Sequence, residues 1–468
     1  MKKLLLLLII GSFSVPVWAQ VKVILLRDTT TYQLSRTVLD KKYFGLNELF
    51  RGNPNRAHKA TQARQKQLGD FLKKQNQLPP KAFVLFLSEY YQPDGNAQWV
   101  LVDADRSQPD SVVAKAVATL QEFYSTTPHP ARGSVPFRIS SAVMYGKAGM
   151  APRTVRRGPG IISTLAAAQK TIRPDTVTIL AFNQLELTNV PEVVYRFPNL
   201  VDLDLSKNQL HELPARLTAD IPTLKRLSLL NNAIPDDSVF IDRNKHLVSL
   251  NLQGNKLTRI PVSVRQNRRL ESLWMGNNEL KELDVKTLRR LHRLNDLNLY
   301  NAGLTQLPKS IGRLKQVKVL DLYYNKFTEL PRQVGRMKRL EQLAVAYNDL
   351  HDLPASLAKL HRLNVLFAHH NRISQLPGEF QRLANLRVLD LGYNWFSVAP
   401  DVLSTLPALE ELDLNNNNLR ELPTSLSGLK TLKKIYLRSN PLSQENIKAG
   451  PYAPIIEQLE SNKTEVFY

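Results

Sequence analysis

The chain has 468 residues, 43% hydrophobic and 22% charged, a composition ordinary for folded protein but a length too great for one compact core, so two domains or an extended array is expected. It contains no cysteine, which excludes disulfides, thiol nucleophiles and thiolate metal sites. The formal charge of +22 sits mainly in residues 20–174, with 23 basic against 10 acidic side chains; this favours anionic surfaces such as lipopolysaccharide, phospholipid or acidic polymer, but no nucleic-acid module accompanies it.

The first residues read as an export signal. Met1-Lys2-Lys3 is a positive start, Leu4 to Ile10 an unbroken apolar run, and Val17-Trp18-Ala19 a cleavage site, giving a signal peptide over 1–19. The apolar run is short of the roughly 20 residues a bilayer requires. No later segment is long and apolar enough to span one, so no transmembrane segment is expected after cleavage. The mature chain is expected outside the cytoplasm of a bacterium, whether secreted, attached to the cell surface or periplasmic.

Residues 20–145 read as a small α+β domain. Strands are expected at 21–26, 83–91, 99–104 and 135–145, and helices at 55–77 and 112–124. Pro93-Asp94-Gly95 supplies a hairpin turn between the second and third strands. The order strand, Asp-Gly turn, strand, helix, strand over 83–145, with Ala114, Ala116, Pro130, Gly133 and Pro136, resembles the C-terminal domain of TonB energy transducers. That family's membrane anchor and proline-rich spacer have no counterpart in this sequence. What the resemblance implies is a small sheet able to pair with a partner's strand.

Residues 146–174 follow as linker and N-terminal cap, since 146–160 alone holds four Gly, two Pro and four basic residues. From Val177 the pattern L-x-x-L-x-L-x-x-N-x-L then recurs twelve times, every 23 residues except for two steps of 24. Leu340-Leu343-Val345-Asn348-Leu350 is a typical unit. Ten units carry the Asn, and Leu185 and Ala302 replace it in the other two; Asn301 is expected to take part of the missing role. Nine units carry Pro six residues after the Asn position, followed by apolar residues at steps of three, as in Pro308-Ile311-Leu314. Pro presets entry to a short helical turn.

This array, over about 175–445, resembles the leucine-rich-repeat family. The resemblance implies an α/β solenoid with a parallel β-sheet on its concave face and short helical turns on its convex face. One unit cannot bury its own leucines, so neighbours stack into a continuous core. Residues 446–468 form the C-terminal cap, with a helix expected at 454–459.

The sequence holds no HExxH, GxSxG, Walker or dinucleotide fingerprint, so neither an enzyme nor a cofactor is expected. His369-His370, with Asp390 one unit along, lacks a third ligand for zinc. The concave face is more informative. Tyr324, Tyr347, His370 and Tyr393 occupy the same position of four consecutive units, with Tyr300, Tyr323, Phe367 and His369 around them and Trp274 farther along. On parallel strands four such rings span roughly 14 Å. Tyr and Trp combine apolar area with a polar handle, as binding hot spots do. A basic ladder, Arg313, Arg336, Lys359 and Arg382, falls where the convex turn returns to the strand. The expected function is non-enzymatic recognition of a protein partner through the concave aromatics; the alternative is a polysaccharide or anionic envelope polymer held by the aromatics and the ladder together.

Overall fold

Phe83, Leu85, Leu87 and Tyr91 alternate along the chain, so a strand through them buries one face. In the computed structural model this strand is the centre of a five-stranded sheet. The structure describes residues 21–468 apart from 33, 51–53, 76–77, 80–81, 105–107, 147–152 and 444–449. The expected signal peptide lies outside the described residues. The chain divides into two compact units between Pro152 and Arg153.

In the first unit the strands are β1 (Lys22–Leu25), β2 (Phe44–Gly45), β3 (Phe83–Tyr91), β4 (Ala97–Ala104) and β5 (Phe137–Tyr145), in spatial order β1-β4-β3-β5-β2. β3 is antiparallel to both β4 and β5, while β1 and β2 run parallel to their neighbours at the edges. Gly95 makes the hairpin turn with φ 82°, and its carbonyl accepts from His129 N at 2.8 Å; a Cβ here would stand 2.6 Å from His129 O. The helices are α1 (Arg36–Lys42), α2 (Leu46–Leu49), α3 (Pro54–Lys73) and α4 (Asp110–Thr126). Leu68 and Leu72 of α3 and Leu120 and Phe123 of α4 share one core with Leu85, Leu87, Val100 and Val102 of the sheet. Inside it Arg64 and Glu89 approach to 3.7 Å, at 3% and 1% side-chain exposure. Glu89 also accepts from Tyr91 Oη and, at 2.6 Å, from Ser141 Oγ, so each of its carboxylate oxygens has a hydrogen-bond donor beside the ion pair.

The second unit is a solenoid around a 14-stranded sheet that pairs in sequence order from Ile161–Ile162 to Glu465–Phe467. Pairing is parallel and in register, so Leu297, Leu320, Leu343 and Leu366 stand in line, each fully buried. One continuous core runs from Ala168 to Leu459. The segment expected as linker and cap joins this unit from Arg153, whose guanidinium donates to Asn183 O at 2.6 Å and Ala181 O at 2.7 Å. A first strand Ile161–Ile162 and a helix Leu165–Lys170 then cover the leading edge. At the other end the helix Ala453–Ser461 buries Ile455, Ile456 and Leu459, and an added strand, Glu465–Phe467, closes the sheet.

The Asn row is a hydrogen-bonded ladder. Asn348 is representative: Nδ2 donates to Leu322 O and Val345 O at 3.0 Å each, and Oδ1 accepts from Phe327 N at 3.1 Å. Each Asn thus ties its own turn to the preceding unit. At Ala302 the expectation fails. Asn301 is exposed and bonds sideways to Asn277 at 2.9 Å, while the ladder gap is closed by backbone, Leu280 N donating to Ala302 O at 2.8 Å. The convex turns are mostly five-residue 3₁₀ segments capped by Pro, as in Lys309–Arg313 after Pro308. Where Asp284 replaces Pro, its carboxylate caps the helix Val285–Leu288 by accepting from Lys286 N at 2.8 Å.

Candidate functional site

After each strand the chain must turn sharply, and the residue before the ladder Asn does so with positive φ. It is 53° at Asn231, 52° at Asn277 and Asn416, 47° at Asn301, and 65° at Gly254. Asn and Gly suit this left-handed region, whereas other side chains, such as Lys207 (56°) and Ser439 (58°) toward the ends of the array, carry roughly 1–2 kcal/mol of strain there. Four consecutive units nevertheless place rings at this position: Tyr324 (φ 55°), Tyr347 (53°), His370 (52°) and Tyr393 (53°). The solenoid backbone alone gives no reason for them.

These rings form a stack. Tyr324 and Tyr347 are 4.1 Å apart between centroids, Tyr347 and His370 4.0 Å, and His370 and Tyr393 3.9 Å, with planes within 15° of parallel. Tyr300 extends the stack at 5.3 Å from Tyr324, tilted by 59°. Beside it lies a second group. Tyr323 meets His369 at 5.3 Å and Phe367 at 6.4 Å, although these residues are two units apart. The intervening strand Gln342–Ala344 and the turn after it make this possible, because Ala344 and Ala346 are too small to separate the rings. Eight of the nine sequence-selected residues therefore form one contiguous patch, each ring half-buried against its neighbours. Trp274 does not join it. It is 38% exposed, and its indole donates to Asp296 Oδ2 at 2.8 Å.

Carboxylates line the same face, at a position the sequence reading passed over. Asp321, Asp390 and Asp413 each end a three-residue concave strand, between two inward leucines. Each accepts a backbone N–H two residues on: Tyr323 N at 3.0 Å, Gly392 N at 3.1 Å and Asn415 N at 2.8 Å. The recurrence of Asp or Asn at 204, 251, 298, 321, 390 and 413 was the available signal. Burial pushes the Asp413 carboxyl up to about 6, with the charge of Asp390 adding to the effect. Burial also raises Asp321. Asp390 Oδ2 lies 2.7 Å from His369 Nδ1. Burial holds the hydroxyls of Tyr300, Tyr323, Tyr347 and Tyr393 above the usual tyrosine range, so they remain neutral donors at pH 7. Among the described residues no three His, Asp or Glu side chains converge as metal ligands would. The patch offers π faces, neutral hydroxyls and negative charge, the combination that receives an apolar or cationic side chain.

The basic ladder also stands where the spacing placed it. Arg313, Arg336, Lys359 and Arg382 each end a 3₁₀ turn, and all are exposed.

Family profiles described as leucine-rich repeat region and leucine rich repeat match residues 246–395 and 395–442. A solved leucine-rich-repeat protein from Leptospira interrogans is similar at 31% identity and a TM-score of 0.52, over 63% of this chain and 79% of that one. Among curated proteins, a homologue of a protein phosphatase 1 regulatory inhibitor subunit from Arabidopsis thaliana is 31% identical over 150 residues, covering 27% of this chain and 45% of its own. Human vasorin is 34% identical over 116 residues, 24% of this chain and 17% of its own. The chain thus spans less than half the length of these curated relatives, and the likeness to them is one of repeats rather than of whole proteins. With in-register parallel strands, the Asn ladder and both profile matches in agreement, the chain belongs, through its solenoid, to the leucine-rich-repeat family.

Proposed function

We propose that this chain is an exported, non-enzymatic binding protein that holds a protein partner on the concave face of units six to ten. Leucine-rich-repeat domains serve generally as protein-interaction scaffolds, which supports the class of function. The observation that carries the site is the ring stack at Tyr324, Tyr347, His370 and Tyr393, built where the backbone favours Asn or Gly. Strain kept at several adjacent surface positions points to a use other than folding. The flanking Asp321, Asp390 and Asp413 favour a partner segment that presents Arg or Lys among apolar residues, since a cation over a ring and beside a carboxylate gains from both.

Hydrogen exchange of the purified chain with its affinity-captured partner tests the placement. Protection concentrated in residues 296–394 supports it; protection confined to the convex turns or to residues 21–146 overturns it. Export is tested separately. Mass spectrometry of the protein from outside the cytoplasm should show Gln20 as the first residue, and full-length chain in the cytoplasm would contradict it.

A further inference from the structure

Three successive turns on the far side of units three to five line an open surface cavity of about 470 Å³, whose lining residues Arg243, Arg265, Gln266, Arg268 and Arg290 are all exposed. Four of its five lining residues are guanidinium groups. Nearby arginines have acidic partners: Arg226 is 3.1 Å from Asp202 and Arg259 is 2.9 Å from Asp237. Among the described ion pairs, none involves the four in the cavity. Like charges gathered without a counter-charge repel, so a surface selected only for solubility would spread them or pair them.

The turns beneath are also unlike the rest of the solenoid. Where other units end the convex turn with a buried apolar residue such as Leu314, Met337 or Leu360, units three and four carry Asn244 and Asn267, at 3% and 0% exposure. Asn244 N donates to Asn267 Oδ1 at 2.9 Å, and Asn244 Nδ2 donates to Thr218 O at 3.0 Å and Ile221 O at 2.9 Å. The backbones that carry Arg243 and Arg268 are adjacent to these two residues, so a buried polar lock fixes the backbone from which these two exposed side chains extend. Unit four supplies Arg265 and Arg268, both with guanidinium forks; units six and seven also carry more than one cation at the turn end, but Lys315 and Lys338 there lack the fork. The lining has little apolar surface. Its volume lies within the roughly 300–1,000 Å³ of small-ligand sites.

We infer that this cavity is a binding site for a multiply charged tetrahedral oxyanion, a cluster of phosphate or sulfate groups. Guanidinium forks bind such oxygens in pairs, and several converging forks select a compact polyanion over a single carboxylate. The site is separate from the concave patch, so either can fail without the other.

The test is calorimetric titration of the full chain with sodium tripolyphosphate, and in parallel with a sulfated disaccharide, at low and at physiological salt. The two probes separate phosphate from sulfate as the source of the oxygens. Replacing Arg243, Arg265, Arg268 and Arg290 together by Gln should weaken the tighter probe at least tenfold. A matched variant, Arg313→Gln with Arg336→Gln, Lys359→Gln and Arg382→Gln, removes the same charge and should weaken it less than threefold. Arg268→Lys alone keeps the charge and loses the fork, and should cost severalfold; because the residue is exposed, it also keeps the test open if the quadruple variant does not fold. Equal weakening in both quadruple variants would reduce the effect to net charge, and failure of both probes to bind the unmodified chain would overturn the inference outright.

Discussion

Replacing Asn348 by Ala removes one rung of the ladder and leaves its neighbours in place. The three carbonyls it serves each keep another donor: Leu322 O still accepts from Asn325 Nδ2 at 3.0 Å, Val345 O from Asn371 Nδ2 at 3.0 Å, and Ala346 O from Tyr324 N at 3.2 Å. The Phe327 N–H instead loses its acceptor, since it donates to Asn348 Oδ1, at 3.1 Å in a fully buried setting. The dominant loss is therefore one orphaned buried N–H, which costs about 1–3 kcal/mol. In a solenoid that loss acts on neighbouring units first, so the assay is hydrogen exchange read at the Phe327 amide together with urea denaturation. Phe327 should exchange roughly 5- to 150-fold faster, with units near the N-terminus of the solenoid little changed. Asn385→Ala is the control, since Asn385 is exposed, has no positive φ and donates only a surface bond, to His361 O at 2.6 Å, and it should cost less than about 0.5 kcal/mol. Equal effects of the two substitutions, or no effect of either, would refute the ladder as a source of stability.

Two further outcomes follow from buried charge. The folded Asp413 carboxyl titrates at about 6, above its ordinary 3.8, so the native state holds this proton more tightly than the unfolded chain does. Its contribution to stability therefore falls as pH rises from about 4 to about 6 and stays at its lowest above that. Asp413→Asn should accordingly stabilise the solenoid at pH 7.5 relative to the parent, with the gain vanishing near pH 4 in parallel urea melts; a gain that grows on acidification would contradict the burial argument. Glu89→Gln strips the partner from buried Arg64 and should cost about 3–5 kcal/mol in the N-terminal unit alone. Faster exchange across residues 83–145 with residues 200–440 unchanged is the expected pattern, and unchanged exchange at 83–145 would contradict it.

The solenoid was legible because its period is fixed by stacking. Every 23 residues the same apolar positions must return to one core, and a pattern repeated twelve times is hard to misread. The first unit was legible where elements are long, as in α3, β3, β4, α4 and β5. Its short pieces α1, β2 and α2 were not, because seven, two and four residues carry too little periodicity to stand out. The strand Glu465–Phe467 escaped for a similar reason: it belongs to the sheet only by pairing with Lys434–Tyr436. At the site, the ring positions followed from spacing, but the direct stacking did not. It depends on the left-handed turn that aims each side chain along the row, and on Ala344 and Ala346 making room. The Asn, Gly and Asn at 231, 254 and 277 did mark that turn, and reading them as a conformational signature would have exposed the strain at Tyr347. The cavity between Arg243 and Arg290 needed coordinates, since four arginines in a basic chain look like solvated surface until their turns are stacked.

The central claim, that the concave rings serve recognition rather than folding, is tested most directly by Tyr324→Asn with Tyr347→Asn and Tyr393→Asn. Asn is the residue that four other units place at this position, at Asn231, Asn277, Asn301 and Asn416. Each substitution relieves roughly 1–2 kcal/mol of backbone strain and gives up about 0.5–1.5 kcal/mol per stacked pair. Stability should therefore change little, in contrast to Leu343→Ala in the buried core, which should cost about 2–5 kcal/mol. Affinity for the captured partner, measured by calorimetry on the folded triple variant, should fall by at least about 2 kcal/mol, near thirtyfold. A triple variant that unfolds, or one that stays folded and binds the partner as tightly as the parent, would contradict the account.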